Sequence, residues 1–271
     1  MRRRYGGMRN GTWTWRRTRQ LTRVMNAYEG KNVVITGGSS GLGLAAAELL
    51  VDRGARVLIT GRDEEKLESA RRRLGERATA VRSDSASMAD IEELARLVRA
   101  EFDAVDAVFV NAGVTAFAPF ESTPEAQYDE LFAVNTKGPY FTVQKLAPLL
   151  REGAGVVLTT SVANRKGLDM ISVYAATKAA LRSMTRSLAR ELLPRRVRVN
   201  AVSPGPIDTG ILGATLPPDA ADRMKTEMEA QNPMQRFGEP AEVAAAVAYL
   251  AFEATFTTGA EIPVDGGAAQ L

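Results

Sequence analysis

The chain has 271 residues, of which 45% are hydrophobic and 25% are charged, a composition typical of one soluble globular domain. It contains no cysteine and no histidine, which excludes disulfides, thiolate metal sites, Ser-His-Asp triads and histidine-based zinc sites. The formal net charge is +3, but residues 1–24 hold eight arginines and no acid, so the remainder has 27 basic and 32 acidic residues and does not resemble a nucleic-acid-binding protein.

Residues 1–24 are predicted to be a basic, disordered N-terminal extension of a single domain at 25–271. They include both tryptophans of the chain, Trp13 and Trp15, and show no sustained helical or strand periodicity. An extension upstream of a true start at Met25 is the second interpretation, and a targeting or membrane-surface segment rich in arginine is the third. No other stretch reaches the ~18 uncharged apolar residues of a membrane span, so we expect a cytoplasmic protein with no membrane partner.

Beyond residue 25, short apolar runs alternate with helix-like segments. The runs are continuous, as expected of strands that are buried on both faces of a sheet. The pattern predicts an α/β fold: a single doubly wound (Rossmann) domain with a seven-stranded, mostly parallel sheet and helices on both faces. Pro139 and Pro148 are expected to kink or divide the longest helical region. In chain order the predicted elements are strand Asn32–Thr36, helix Leu42–Arg53, strand Ala55–Thr60, helix Asp63–Leu74, strand Arg77–Arg82, helix Ser87–Phe102, strand Val105–Val110, helical region Pro124–Arg151, strand Gly155–Thr160, helix Ser172–Leu193, strand Arg196–Val202, helix Ala241–Phe252 and strand Ala260–Val264.

A glycine-rich turn follows the first strand, in the string TGGSSGLG at 36–43. The spacing is T-G-x-x-x-G-x-G, with glycines at Gly37, Gly41 and Gly43. Glycine permits a tight turn and the close approach of a pyrophosphate, and the following helix directs its free N–H groups at the phosphates. The turn favours a dinucleotide site, with a glycine-rich turn that binds nothing as the alternative. It is not a P-loop, because no G-K-[ST] follows.

Tyr174 and Lys178, in the string YAATK, offer acid–base chemistry without histidine. The two residues are four apart on a predicted helix, so their side chains share one face. An ammonium beside a phenol favours the phenolate and lowers the pKa of the tyrosine from about 10 towards the working pH. The pair is a candidate general acid–base, although the same two residues in isolation would more often belong to an ordinary amphipathic helix.

The ordered set of motifs resembles the short-chain dehydrogenase/reductase family over nearly all of residues 30–267. Besides the glycine turn and Y-x-x-x-K, the family's pattern has Asn-Ala-Gly after the fourth strand, an N-x-x-G asparagine and a serine thirteen residues before the tyrosine. Later it has Pro-Gly, a threonine and Val-Asp-Gly-Gly. So many ordered matches are far more specific than any one of them. The matching residues here are Asn111, Ala112, Gly113, Asn135, Gly138, Ser161, Pro204, Gly205, Thr209 and Val264–Gly267.

The resemblance implies an oxidoreductase that interconverts a ketone or aldehyde and an alcohol by hydride transfer, with Asn135, Ser161, Tyr174 and Lys178 as catalytic residues. Tyr174 would exchange a proton with the carbonyl oxygen, and Ser161 would hydrogen-bond the same oxygen. Lys178 would lower the pKa of Tyr174 and hold the ribose hydroxyls. Asn135 would hold a water that connects Lys178 to solvent. The alternative is a non-catalytic dinucleotide-sensing or scaffold protein, which the four filled catalytic positions disfavour.

The predicted cofactor is NADP (NADPH), with NAD as the alternative and no metal. An NAD site needs an acid at the end of the second strand, but Gly61 holds that position, and Arg62 follows with a guanidinium suited to a 2′-phosphate. Asp63 is the competing acid and is interpreted as a helix cap. Ser40 stands where the family often has a second basic contact. The resemblance places the cofactor against Gly37, Ser39, Ser40, Gly41, Leu42, Gly43, Arg62, Asp84, Ser85, Asn111, Ala112, Gly113, Tyr174, Lys178, Pro204, Gly205, Ile207 and Thr209.

The segment at about 206–237 is interpreted either as a lid over the substrate or as a surface helix packed on the body. The expected partner is a small-molecule carbonyl compound or alcohol. A homo-oligomer, expected as a tetramer, follows from the resemblance and from two predicted helical regions, Pro124–Arg151 and Ser172–Leu193, which are long enough to pair with symmetry mates. The apolar residues of the lid segment are Ile211, Leu212, Leu216, Met224, Met228 and Met234.

Overall fold

Seven parallel strands form one sheet in the computed structural model, which describes residues 27–210, 212–213 and 217–271. The order across the sheet is β3-β2-β1-β4-β5-β6-β7, and every neighbouring pair is parallel. The predicted doubly wound α/β fold is confirmed. The strands are β1 (Asn32–Thr36), β2 (Arg56–Gly61), β3 (Ala78–Arg82), β4 (Val105–Val110), β5 (Leu150–Thr159), β6 (Arg198–Pro204) and β7 (Glu261–Val264).

Helices cover both faces of the sheet and bury two separate apolar layers. Successive residues of β1 alternate between these layers: Val33 and Ile35 join one, and Val34 joins the other. Burial on both faces explains why each strand is a continuous apolar run. The α-helices of the described residues are α1 (Gly41–Asp52), α2 (Glu64–Leu74), α3 (Met88–Glu101), α4 (Glu125–Phe132), α5 (Gly138–Leu146), α6 (Ser172–Leu192), α7 (Pro218–Gln231) and α8 (Pro240–Ala248).

The strand order reverses between β1 and β4. The chain runs outward from β1 through β2 to β3 on one side and then returns to place β4 on the other side of β1. Val33 of β1 accordingly pairs with Val57 on one side and Ala107 on the other. In open α/β sheets, ligands bind in the crevice at the carboxyl ends of the strands where this reversal occurs.

The helical region predicted at Pro124–Arg151 is shorter than expected. It ends at Leu149, and β5 begins at Leu150 rather than at Gly155. Leu149 and Leu150 continue the apolar pattern of the preceding helix, so periodicity alone does not mark the boundary. A register shift between β5 and β4 absorbs the extra residues.

A π-helical segment, Ala133–Lys137, divides this region between α4 and α5, rather than either predicted proline. Pro139 is the second residue of α5, directly after the π-helical segment, and Pro148 lies in the 3-10 turn that ends the region. Such π-helical turns occur frequently at functional sites, and this one carries Asn135.

The segment 206–237 is described in part, because Ile211 and residues 214–216 lie outside the described residues, as do residues 1–26 with the predicted N-terminal extension. Its main element is α7, and a helix here fits both interpretations, a lid over the substrate or a surface helix. Lys225 on α7 donates to the Asp208 carboxylate at 2.6 Å. Among the described helices, none is both long and apolar enough to cross a membrane.

Candidate active site

The glycine-rich turn lies between β1 and α1, as predicted. Gly37 and Gly41 adopt φ angles of +65° and +52°, which L side chains rarely tolerate. Gly43 lies in the first turn of α1, where an added Cβ would overlap the carbonyl oxygen of Gly37. Glycine at these three positions therefore lets the turn fold tightly against the start of the helix.

Hydrogen bonds link the carboxyl ends of three strands behind this turn. Thr36 Oγ1 accepts from the backbone N–H groups of Asn111 at 3.0 Å and Ala112 at 3.1 Å. The Asn111 side chain donates from Nδ2 to the Gly37 carbonyl at 3.2 Å, and its Oδ1 accepts from the Thr159 hydroxyl at 3.2 Å. β1, β4 and β5 are thus held together at the point where the strand order reverses.

A cleft of about 510 Å³ runs from the glycine-rich turn to the Tyr174–Lys178 pair. It brings together 14 of the residues predicted to bind the cofactor: Gly37, Ser39, Ser40, Gly41, Leu42, Arg62, Asp84, Ser85, Asn111, Ala112, Gly113, Tyr174, Lys178 and Thr209. It is also lined by residues that the sequence analysis did not select, namely Thr60, Gly61, Asp63, Lys66, Ser83, Val114, Thr115, Val134, Thr159 and Gly210.

Four predicted cofactor residues lie outside this cleft lining. Gly43 packs beneath the turn, and Pro204 is a buried residue of β6. Gly205 packs against the backbone of Asp265, where a Cβ would come within 2.8 Å of the Asp265 Cα. Ile207 lines a neighbouring cavity of about 180 Å³ beside α7. These four residues surround the cleft without lining it.

Lys178 is a buried cation at the end of the cleft. Its side chain is only 3% exposed, and Nζ donates to the Thr159 carbonyl at 2.9 Å. Nζ also lies 5.6 Å from the centroid of the Tyr174 ring. Burial lowers the pKa of Lys178 from 10.5 to about 8 because desolvation penalises the charged form.

The sequence predicts that Lys178 lowers the pKa of Tyr174, but the structure gives a raised pKa instead. Burial of the phenol raises its pKa above 10, since a buried phenolate loses its hydration. Hydrogen bonds with the hydroxyls of Ser161 and Thr115 act in the opposite direction but do not cancel the effect of burial. Ser161 thus lies against Tyr174 as its spacing in the motif implies, whereas Thr115 carries no motif and was missed.

Asn135 links the segment after β4 to α6. The residue is fully buried, and its Nδ2 donates to the Val114 carbonyl at 2.9 Å and to the Thr177 hydroxyl at 3.2 Å. Its Oδ1 accepts from the Val114 N–H at 2.8 Å. A Cβ added to Gly113 would lie 3.2 Å from Asn135 Oδ1 and 3.4 Å from Lys178 Nζ. The absence of a side chain there leaves room near both polar groups.

The far end of the cleft carries two basic side chains. Arg62, just before α2, is exposed and lines the cleft. Lys66, in the first turn of α2, lines it as well. Asp63 caps α2 by accepting from the Lys66 backbone N–H at 3.0 Å, which is the role the sequence analysis gives it. The sequence analysis missed Lys66; its position in the first turn of the predicted helix was the available signal. Asp84, also in the cleft lining, accepts from the Ala86 N–H at 2.9 Å.

Comparison with known proteins places these features in a family. A family model described as enoyl-(acyl carrier protein) reductase matches residues 37–269. The chain is 40% identical over 245 residues to an oxidoreductase, asL5, of Sarocladium schorii, covering 89% of this chain and 97% of that protein. It is 36% identical over 249 residues to an L-fucose dehydrogenase of Mus musculus, covering 90% of each.

Similar solved structures have the same fold. One is the crystal structure of a short-chain dehydrogenase/reductase from Brucella melitensis, described as a glucose/ribitol dehydrogenase. It superposes with a TM-score of 0.84 at 33% sequence identity, covering 90% of this chain and 98% of that chain.

Proposed function

The chain belongs to the short-chain dehydrogenase/reductase family of oxidoreductases, and on this basis we propose that it interconverts a ketone or aldehyde and an alcohol with NADP(H). One observation carries the proposal. The Tyr174 hydroxyl lies against Ser161 at one end of a cleft whose other end is the glycine-rich turn. A proton donor, a second hydroxyl and a phosphate-binding turn in one cleft suit hydride transfer to a carbonyl group.

The cleft fits a nicotinamide dinucleotide. The positive φ angles at Gly37 and Gly41 keep side chains away from the turn, and the N-terminal end of α1 faces the position of a pyrophosphate. Arg62 and Lys66 would hold a 2′-phosphate, and Lys178 would hold the ribose hydroxyls. When bound, the dinucleotide supplies or accepts the hydride.

Proton transfer is assigned to Tyr174. In reduction its hydroxyl donates a proton to the carbonyl oxygen, and in oxidation its phenolate takes that proton back. A pKa raised by burial keeps the phenol protonated, which suits the reductive direction. Ser161 donates a hydrogen bond to the same oxygen and stabilises the charge that develops there.

Lys178 and Asn135 provide the path by which protons exchange between the active site and bulk solvent. Lys178, with a pKa of about 8, exchanges protons near neutral pH. The space beside Gly113 lies near both Lys178 Nζ and Asn135 Oδ1, and Gly113 itself is exposed. A water held there would connect the ammonium to bulk solvent.

A screen of carbonyl compounds with NADPH tests this function. The panel includes aldehydes and ketones with NADPH, and sugars with NADP⁺, because one relative is named as an L-fucose dehydrogenase. We expect at least one class to oxidise NADPH or reduce NADP⁺ at a rate proportional to enzyme concentration. If NADPH binds but no compound in the panel reacts, the non-catalytic sensing or scaffold protein becomes the better interpretation.

Arg62→Asp is expected to shift the preference from NADPH to NADH by about a hundredfold in kcat/KM. The carboxylate would repel a 2′-phosphate and accept a hydrogen bond from a free 2′-hydroxyl, and each lost charge-assisted hydrogen bond is worth about 1.5–3 kcal/mol. Steady-state kinetics with both cofactors measure the shift. Arg72→Asp makes the same charge change on α2 outside the cleft lining and should leave the preference unaltered. An equal response of both variants would contradict a specific role for Arg62.

A homotetramer is proposed, with one contact on the face formed by α4, α5 and α6. A groove of about 420 Å³ on this face is lined by Phe132, Tyr140, Phe141 and Met184 among others. In the described part of the chain, the buried Thr136 hydroxyl beside this groove has no hydrogen-bond partner. A second copy would cover the aromatic side chains and offer Thr136 a partner.

Light scattering at micromolar concentration is expected to give the mass of a tetramer, and Tyr140→Glu is expected to reduce it by placing a charge in the groove. The matched change Tyr249→Glu, on the other face beyond α8, should leave the mass unaltered. A monomeric mass for the unmodified chain would contradict the proposal.

We also propose a cytoplasmic location, and a division of the chain into a basic N-terminal extension at 1–24 and a single domain at 25–271. Cell fractionation, and limited proteolysis that trims the chain to a product starting near Met25, would test them.

A further inference from the structure

The buried carboxylate of Glu261 is hydrogen-bonded to residues on both sides of Ser161 in the chain. Glu261 is the first residue of β7, and its side chain is only 6% exposed. It is outside the set of residues that line the cleft, and the sequence analysis gives it no role. Four donors from the described residues surround it: Thr160 Oγ1 at 2.6 Å, Asn164 Nδ2 at 2.6 Å, Arg165 Nη2 at 2.8 Å and Arg182 Nε at 3.1 Å.

Three of these donors flank Ser161 in the chain. Thr160 precedes it directly, Asn164 ends the 3-10 turn that follows it, and Arg165 comes directly after that turn. The Asn164 N–H also donates to the Ser161 carbonyl at 3.0 Å. The carboxylate therefore fixes the backbone on both sides of Ser161.

The fourth donor belongs to the helix that carries Tyr174. Arg182 lies on α6, four residues after Lys178 and eight after Tyr174, so all three side chains share one side of the helix. The Arg182 guanidinium also reaches Asn164 Oδ1 at 3.5 Å. Through Arg182, one carboxylate connects the turn of Ser161 to the helix of Tyr174.

We propose that Glu261 is a positioning residue that sets the hydrogen bond between Ser161 and Tyr174. The proposal rests on the proposed function, because this geometry matters only if the two hydroxyls act on a common oxygen. Two guanidinium groups and two neutral donors hold the carboxylate by charge-assisted hydrogen bonds, which are short and strongly directional. Removing it would leave Arg165 and Arg182 without their common partner and release the turn from the helix.

Glu261→Gln tests the proposal, because it keeps the size of the side chain and removes its charge. A misplacement of about 1 Å at Ser161 would lower kcat by about tenfold to a hundredfold. The dissociation constant for NADPH should be unchanged, since Glu261 is outside the cleft lining. The Ser161 hydrogen bond lowers the pKa of Tyr174, so its loss would raise that pKa further. The pH profile of kcat for alcohol oxidation, which needs the phenolate, should then move to higher pH.

Asp106→Asn is the matched control. Asp106 is 7% exposed and pairs with two cations, Lys31 and Arg151, at the amino-terminal ends of the central strands β1, β4 and β5. We expect a comparable loss of thermal stability but an unchanged kcat and pH profile. If Glu261→Gln does not fold, Arg182→Gln removes only one of the four partners and should give a smaller shift in the same direction.

A double-mutant cycle with Ser161→Ala separates positioning from a general structural role. If Glu261 acts through Ser161, the double variant should be no slower than Ser161→Ala alone. Additive losses, or a wild-type kcat and pH profile in Glu261→Gln, would overturn the proposal. Near-normal turnover of Tyr174→Phe would instead overturn the proposed function, so the two failures are distinguishable.

Discussion

Replacing Tyr174 with phenylalanine is expected to reduce turnover by about 10²–10⁴-fold while NADPH binding stays nearly unchanged. The phenyl ring keeps the packing of the tyrosine at the end of the cleft, but the proton donor is gone. Ser161 and Thr115 lose the hydroxyl to which they are hydrogen-bonded. Steady-state kinetics give the turnover, and titration of NADPH fluorescence gives the affinity.

Tyr249→Phe is the control for this variant. Tyr249 is an exposed tyrosine just after α8, away from the cleft, and loss of its hydroxyl should leave turnover unaltered. Near-normal turnover in Tyr174→Phe would show that the catalytic assignment is wrong and would favour the scaffold interpretation.

Replacing Lys178 with methionine is expected to lower turnover and NADPH affinity while stabilising the free protein at neutral pH. The pKa of Lys178 falls from 10.5 to about 8 on burial, so the folded state binds this proton less tightly than the unfolded state. By linkage this difference costs the fold about 3 kcal/mol when the amine is protonated. Methionine removes that penalty but also the charge-assisted hydrogen bond to Thr159, worth about 1.5–3 kcal/mol, which leaves a net gain of at most about 1.5 kcal/mol.

The gain in stability of Lys178→Met should decrease as the pH rises. It should be full below pH 8, where Lys178 is protonated in the folded state, and it should shrink between pH 8 and 10.5 as the penalty disappears. Denaturant unfolding of both proteins at pH 7 and near pH 10 measures it. Lys145→Met, which breaks a surface ion pair with Glu92, should give neither a gain in stability nor a loss of turnover. A Lys178→Met protein that keeps full turnover and cofactor affinity would contradict the proposed role.

The strands and the glycine-rich turn could be predicted from the sequence because local rules determine them. A strand buried on both faces must be apolar at every position, as β1 is, and the tight turn requires glycine at Gly37 and Gly41. The boundary between Leu149 and Leu150 could not be predicted, because the apolar pattern continues across it. Only pairing with β4 decides where the strand begins.

The candidate site also contains some residues that could be predicted from the sequence and others that could not. The ordered motifs predict that Ser161 and Tyr174 act on a common oxygen, and the structure places Ser161 against Tyr174. Thr115 and Glu261 could not be found in this way, since their contacts join segments far apart in the chain. The direction of the pKa shift of Tyr174 also depends on how deeply the fold buries the phenol, which the i, i+4 spacing from Lys178 does not determine.

Transfer of deuterium from NADPH deuterated at both C4 positions to a carbonyl substrate tests the central claim most directly, with the unmodified chain and Tyr174→Phe measured side by side. The account predicts deuterium on the carbinol carbon of the product with the unmodified chain, and at least about a hundredfold less product with the variant at saturating cofactor. Deuterium transfer at equal rates by both proteins, or NADPH binding without transfer to any carbonyl compound, would contradict it.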